Sequence, residues 1–191
     1  MISGPERPST SSERSRRMAG KFDEGKMRIS FDLDEVLFVR PDTHKVESKL
    51  LFPFNLIFKE RLRYGTPYLI NELQKLGYEV WVYTSSYRSE FYIKTLFRCY
   101  GVKFDQIVNA QRHLKEVQGK RKQMLPQKMP SHYHIKLHVD DEGVICSYGK
   151  QNGYAAYQLD APDDEWTSKI IAKAAEVKKK WEWEQEALHR R

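Results

Sequence analysis

Short apolar runs alternate with amphipathic stretches from residue 27 onward. Met27–Phe31 (MRISF) reads as a short buried strand. Leu69, Ile70, Leu73 and Leu76 then recur at helical spacing. Thr66 is the expected N-cap of that helix, Pro67 fits its first turn, and Gly77 is its stop. Glu79–Tyr83 (EVWVY) predicts the second strand. Ile93, Leu96, Phe97 and Tyr100 predict a helix over about 89–100, closed by Gly101. Gln106–Val108, Ile135–Val139 and Ala155–Leu159 read as a third, fourth and fifth strand. Trp166, Ile170, Ala174, Val177 and Trp181 line one face of a final helix over 163–190, with Asp163 or Asp164 as its cap. Its charged far end, WEWEQEALHRR, is expected to project from the body. Residues 1–26 are rich in Ser, Arg, Pro and Gly, lack periodicity, and are expected to form a polar tail. The expectation is therefore a tail, 1–26, and one domain, 27–191, with a core spanning 27–160.

Strands that alternate with helices predict a Rossmann-like, three-layer αβα sandwich with a mostly parallel sheet. In such sheets ligands sit outside the carboxyl ends of the strands. That is where the chemistry is to be sought.

Composition sharpens this reading. The chain has 191 residues, 40% of them hydrophobic, enough for a real core. No apolar run approaches the roughly 20 residues of a membrane helix, so no membrane span is expected. Two cysteines, Cys99 and Cys146, make no disulfide framework and suggest a reduced, cytoplasmic protein. The net charge of +7 points toward a phosphorylated or polyanionic partner without naming it.

The strand ends carry a pattern. Asp32-Leu33-Asp34-Glu35 follows the first strand, Thr84-Ser85-Ser86 the second, and Asp140-Asp141 the fourth. Each alone is common: an Asp pair is usually a solvated turn, and a Thr after a strand is usually a helix cap. Together they crowd like charges, which raises electrostatic energy unless a cation neutralises them. Such oxygen donors suit Mg²⁺, while a Thr hydroxyl and a Lys ammonium suit phosphate. The Lys is either Lys128, before Pro130, or Lys122.

FDLDEVL, WVYTSS, a Lys and LHVDD, in that order, resemble the signature of the haloacid dehalogenase (HAD) superfamily over about 27–159. The resemblance implies that Asp32 is a nucleophile forming a phosphoaspartate. It makes Asp34 the general acid and base, and Thr84 a hydrogen-bond partner of the phosphoryl group. Mg²⁺ would be held by Asp32, Asp140, Asp141 and the Asp34 carbonyl. An Asp two residues after the nucleophile marks phosphatases rather than dehalogenases in that superfamily. Between Asp34 and Thr84 lie 49 residues, and between Asn109 and Lys128 only 18. That leaves room for a hairpin flap but not a folded cap. An open site is expected, suited to a large substrate or covered by a second copy of the chain.

The expected function is a Mg²⁺-dependent phosphatase. The alternatives are a catalytically silent module that binds a phosphorylated partner, or a nucleic-acid-end phosphatase or phosphotransferase. Gln111–Lys128 holds six Lys or Arg against Glu116 alone. This segment either attracts a phosphorylated polyanion (a nucleotide, nucleic-acid end or phosphopeptide) or is a solvated loop offsetting the acids. Ser85, Arg88 and Lys122 are candidate substrate contacts. Phe52, Phe54, Ile57 and Phe58 form either a flap over the site or ordinary core. Cys99 is expected in the core. His138 points to the opposite sheet face from Leu137 and Val139 and reads as structural. His132 and His134 lack the partners of a zinc site.

Overall fold

The computed structural model describes residues 25–123, 125–159 and 162–190. Among the described residues five strands form one sheet: β1 (Arg28–Phe31), β2 (Glu79–Tyr83), β3 (Gln106–Val108), β4 (Leu137–Asp140) and β5 (Ala155–Gln158). All neighbours are parallel, in the order β3-β2-β1-β4-β5. The helices are α1 (Phe54–Ile57), α2 (Thr66–Lys75), α3 (Glu90–Cys99), α4 (Ala110–His113), α5 (Gly143–Asn152) and α6 (Trp166–His189). A π-helical turn, Leu114–Gln118, extends α4, and a 3₁₀ turn spans Pro130–Tyr133. This is the expected Rossmann-like αβα architecture, without an additional domain among the described residues.

Alternation along the strands divides the core in two. Ile29, Phe31, Val80, Val82, Leu137 and Val139 pack against α2, α3 and α6. Trp81, Tyr83 and Val108 point the other way, against Val117, Tyr133 and Ile135. Both faces of the central strands are covered, as parallel sheets require. The spacing of α6 holds: Trp166, Ile170 and Ala174 are buried, Val177 and Trp181 half-buried, and Trp183 and Leu188 exposed. No helix among the described residues is long and apolar enough to cross a membrane.

Several boundaries differ from expectation. Thr66 does not cap α2. It is the first helical residue, buried, and its hydroxyl donates to the Arg63 carbonyl at 2.7 Å. Gly65 holds the N-cap position at φ 88°, a left-handed conformation that favours glycine. Strand β4 starts at Leu137 because the 3₁₀ turn and His134 (φ 54°) occupy the preceding residues. Helix α6 starts at Trp166. The Asp163 carboxylate accepts from the Glu165 amide at 2.9 Å and pairs with Lys169 at 2.7 Å, just outside the helix. Helix α5 was not anticipated, since its two glycines and few apolar residues give little periodicity. A Cβ at Gly149 would lie 2.8 Å from the Tyr154 carbonyl oxygen, so glycine allows α5 to close onto the chain entering β5.

The expected tail, 1–26, falls outside the described residues except for Gly25 and Lys26, and Lys26 pairs with Glu79 at 2.7 Å. The segment between β1 and α2 contains only isolated bridges, Asp34 with Phe38, Phe38 with Leu62 and Val46 with Arg63, besides α1. Of its candidate flap residues, Phe58 is core, whereas Phe52, Phe54 and Ile57 are exposed. Cys99 is half-buried against the main core.

Candidate active site

The parallel ladder continues one residue past β1: the Asp32 amide donates to the Val139 carbonyl at 3.0 Å. This sets Asp32 beside Asp140, the last residue of β4. The chain then turns sharply, with the Leu37 amide donating to the Leu33 carbonyl and Glu35 at φ 59°. Buried Leu33, Val36 and Leu37 anchor this turn.

Carboxylate oxygens of Asp32, Asp140 and Asp141 all lie within 4.8 Å of one another. Asp32 is 6% exposed and Asp140 fully buried. The Lys128 ammonium, itself buried, bridges them: Nζ lies 3.0 Å from Asp32 Oδ1 and 2.6 Å from Asp140 Oδ2. Burial pushes the Asp32 carboxyl up, and the Asp140 charge adds to this, while Lys128 opposes it. Burial and the Asp140 charge likewise raise Asp141. Burial works against ionised Asp140 too, yet His138 and Lys128 hold it down at about 2. Three carboxyl groups thus gather around the one Lys128 ammonium, and three oxygen donors face one another at a largely buried site.

His138 belongs to this cluster. Its Nε2 lies 2.9 Å from Asp140 Oδ2, and its Nδ1 lies 2.7 Å from Ser30 Oγ on β1. The expected structural role therefore includes fixing Asp140. The signal was in the sequence: His138 and Asp140 stand two apart on one strand, so they share a face.

The other expected residues are placed as follows. Thr84 is buried at the end of β2; its hydroxyl accepts from the Ser86 amide at 3.1 Å. Ser85 is exposed. The Asp34 side chain is half exposed and lies outside the three-acid cluster; its Oδ2 receives Arg88 Nη1 at 2.9 Å. Arg88 is committed to protein groups, since Nη1 also donates to Ser86 Oγ and Nε donates to Glu60 Oε1 at 3.1 Å. Glu60 in turn accepts from the Tyr92 hydroxyl. Sequence reasoning missed Glu60, which sits 28 residues from Arg88 with no motif to mark it. Lys122 is exposed on the basic loop. In that loop Arg112 is held by Glu116, Gln106 and the Ile107 carbonyl, whereas Lys115, Lys120 and Arg121 are exposed.

The acid set fits a small, hard cation. Asp32 Oδ1 is buried and, despite the nearby ammonium, accepts no well-directed hydrogen bond. Such oxygens at this mutual spacing are the donors Mg²⁺ prefers.

No family model matches the chain, and no curated protein matches it. Solved structures do. An uncharacterized protein from Listeria monocytogenes serotype 4b is 16% identical, with TM-score 0.50, over 80% of this chain and 99% of that one. The likeness is one of fold. Two others align with lower scores. A HAD-superfamily hydrolase, subfamily IA, variant 1, from Geobacter sulfurreducens PCA is 14% identical, with TM-score 0.45, over 76% of this chain and 98% of that one. A chain of the Pnkp1/Rnl/Hen1 complex is 16% identical, with TM-score 0.44, over 74% of this chain; this chain spans about half (48%) of its length.

Proposed function

We propose that this protein is a Mg²⁺-dependent phosphatase that hydrolyses phosphate monoesters through an aspartyl-phosphate on Asp32. The observation that carries the proposal is the buried bridge of Lys128 between Asp32 and Asp140, with Asp141 completing the oxygen cluster. A folded core gains little from buried acids at one strand edge, and electrostatic clamping of a phosphoryl group needs them.

Asp32, Asp140 and Asp141 would hold the metal, which supplies charge neutralisation for carboxylate attack on a phosphate anion. Lys128 fixes the Asp32 carboxylate and offers positive charge to the phosphoryl oxygens. His138 holds Asp140 in place. Thr84 stands at the adjoining strand end as a phosphoryl contact. Asp34, exposed and steered by Arg88, is the group that gives a proton to the leaving oxygen and later takes one from water. No covering domain stands among the described residues, and the exposed Lys115, Lys120, Arg121 and Lys122 favour a large or polyanionic phosphate ester.

The test is turnover of an aryl phosphate with and without Mg²⁺, in the wild type and in Asp32→Asn. The expected result is Mg²⁺-dependent turnover that Asp32→Asn abolishes. Turnover that survives the substitution rejects the mechanism. Absent turnover of any ester, with salt-sensitive binding of a phosphorylated ligand, selects the silent binding module.

A further inference from the structure

The segment between β1 and α2 turns large apolar side chains outward. Leu51 is 82% exposed and Phe52 76%, and Phe54, Leu56 and Ile57 are exposed as well. Leu51 to Phe54 are exposed without a break, so no side of that stretch packs on the body. Its two ends are fixed. Leu50 packs against the main core, and buried Phe58 sets its ring 5.1 Å from that of Tyr92. Its own turns pair the backbone: the amides of Asn55, Leu56 and Phe58 donate to the carbonyls of Leu51, Pro53 and Phe54 at 3.2, 3.0 and 2.9 Å. Single exposed hydrophobic residues are ordinary, but a contiguous group of them marks an interaction surface.

Charge decides what covers it. Lys49 stands two residues before Leu51 and Lys59 two residues after Ile57, and both are exposed. No acid lies between them. The nearest acids are turned to protein groups: Glu47 Oε1 accepts from the Gly65 amide at 2.7 Å, and Glu60 accepts from Arg88 and Tyr92. Cations at the foot of an apolar tip match the layering of an anionic bilayer, with negative headgroups outside and acyl chains within. A tip exposed on every side offers no flat face or groove to a protein partner, whereas acyl chains close around any shape. The paired amides also lower the cost of placing this turn of backbone in an apolar medium.

We propose that residues 49–59 form a docking tip for the surface of an anionic lipid bilayer. Leu51, Phe52, Phe54, Leu56 and Ile57 enter the acyl boundary, and Lys49 and Lys59 meet the headgroups. This contact is made from one side of the bilayer and needs no spanning helix. The inference stands apart from the phosphatase reading, since none of these residues belongs to the Asp32 cluster.

The test is sedimentation of the full chain with phosphatidylcholine vesicles, with and without added phosphatidylserine. Binding is expected to the mixed vesicles, weaker to phosphatidylcholine alone, and to fall as salt rises. Phe52→Ser combined with Leu56→Ser is expected to weaken binding by at least about tenfold. The thermal midpoint of that variant is expected to stay at the wild-type value, since both side chains are exposed. Lys49→Ala and Lys59→Ala are each expected to weaken binding about fivefold. Trp183→Ser, at an exposed apolar residue of α6, is expected to bind as the wild type does. Absent binding to the mixed vesicles overturns the proposal. So does binding that the Phe52→Ser, Leu56→Ser protein retains in full, because the net charge of +7 then accounts for it. Self-association of the wild type that the same double variant abolishes, without vesicle binding, gives the tip to a second copy of the chain and likewise overturns the proposal.

Discussion

Replacing Lys128 with Met tests the electrostatic logic of the site directly. The ammonium lies 3.0 Å from one buried carboxylate and 2.6 Å from another. With an effective dielectric near 20, each contact carries a gross attraction of about 5–6 kcal/mol. Most of that is offset by the desolvation of three charges, so the intact cluster adds little net stability. Removing the lysine does not undo the desolvation of the acids. Breaking a buried charge set in this way costs about 3–5 kcal/mol, a large share of the 5–15 kcal/mol typical of whole domains.

Urea unfolding in EDTA is therefore expected to show a midpoint lowered by about 1–3 M in Lys128→Met, using an m-value of about 1.5–3 kcal/mol per molar. Mg²⁺ is expected to recover more stability in the variant than in the wild type, because a cation then replaces the missing charge. Adding Asp32→Asn to Lys128→Met is expected to return part of the loss, since it removes one of the stranded acids. A loss under about 1 kcal/mol in EDTA, at the level of an exposed pair, would refute the reasoning. So would identical Mg²⁺ dependence in the two proteins.

Three further outcomes follow. Arg88→Ala should change stability by less than about 1 kcal/mol, because its pair with Asp34 is largely exposed. It should lower kcat more for alkyl than for aryl phosphates, as poor leaving groups depend most on a positioned acid; equal losses on both ester types count against a positioning role. Gly149→Ala should destabilise by about 1–3 kcal/mol through the clash with the Tyr154 carbonyl, and an unchanged thermal midpoint contradicts it. Stability should fall as pH drops below about 6.5. His113 and His132 are both held below their ordinary value, first by burial, so the folded state keeps them neutral while the unfolded chain takes up protons. His113→Asn should flatten the slope of unfolding free energy between about pH 7 and 5; an unaltered slope argues against this source.

The sheet was legible because Ile29 and Phe31, Val80 to Tyr83, and Leu137 and Val139 set apolar side chains in short runs between amphipathic stretches. The sequence also marked Asp32, Asp140 and Asp141, which follow directly from strand ends. Helix α5 was hidden because its packing depends on Gly149, whose lack of a side chain matters and leaves no apolar period. The partnership of Arg88 with Asp34 and Glu60 was hidden for another reason. It joins three loops 28 and 54 residues apart, and only the folded turn after β1 brings them together. Lys122 and Lys128 could not be separated by sequence. Pro130 starts the 3₁₀ turn that carries Lys128 inward, while Lys122 stays on the exposed loop.

The acid cluster and the Arg63 guanidinium share one feature with opposite sign. Each buries charge that the fold itself leaves incompletely matched: Asp32 Oδ1 in one, the Nη pair of Arg63 in the other. Neither is needed to close the core, which is built from two apolar clusters on the faces of one sheet. Both lie where the chain leaves regular structure, at a strand end or a helix start, with backbone bonds holding the charged side chain in place. An apolar substitution at Arg63 should therefore cost less stability in urea unfolding than loss of Lys128. The first removes a guanidinium whose Nη groups lack hydrogen-bond partners among the described residues, whereas the second strands two acids.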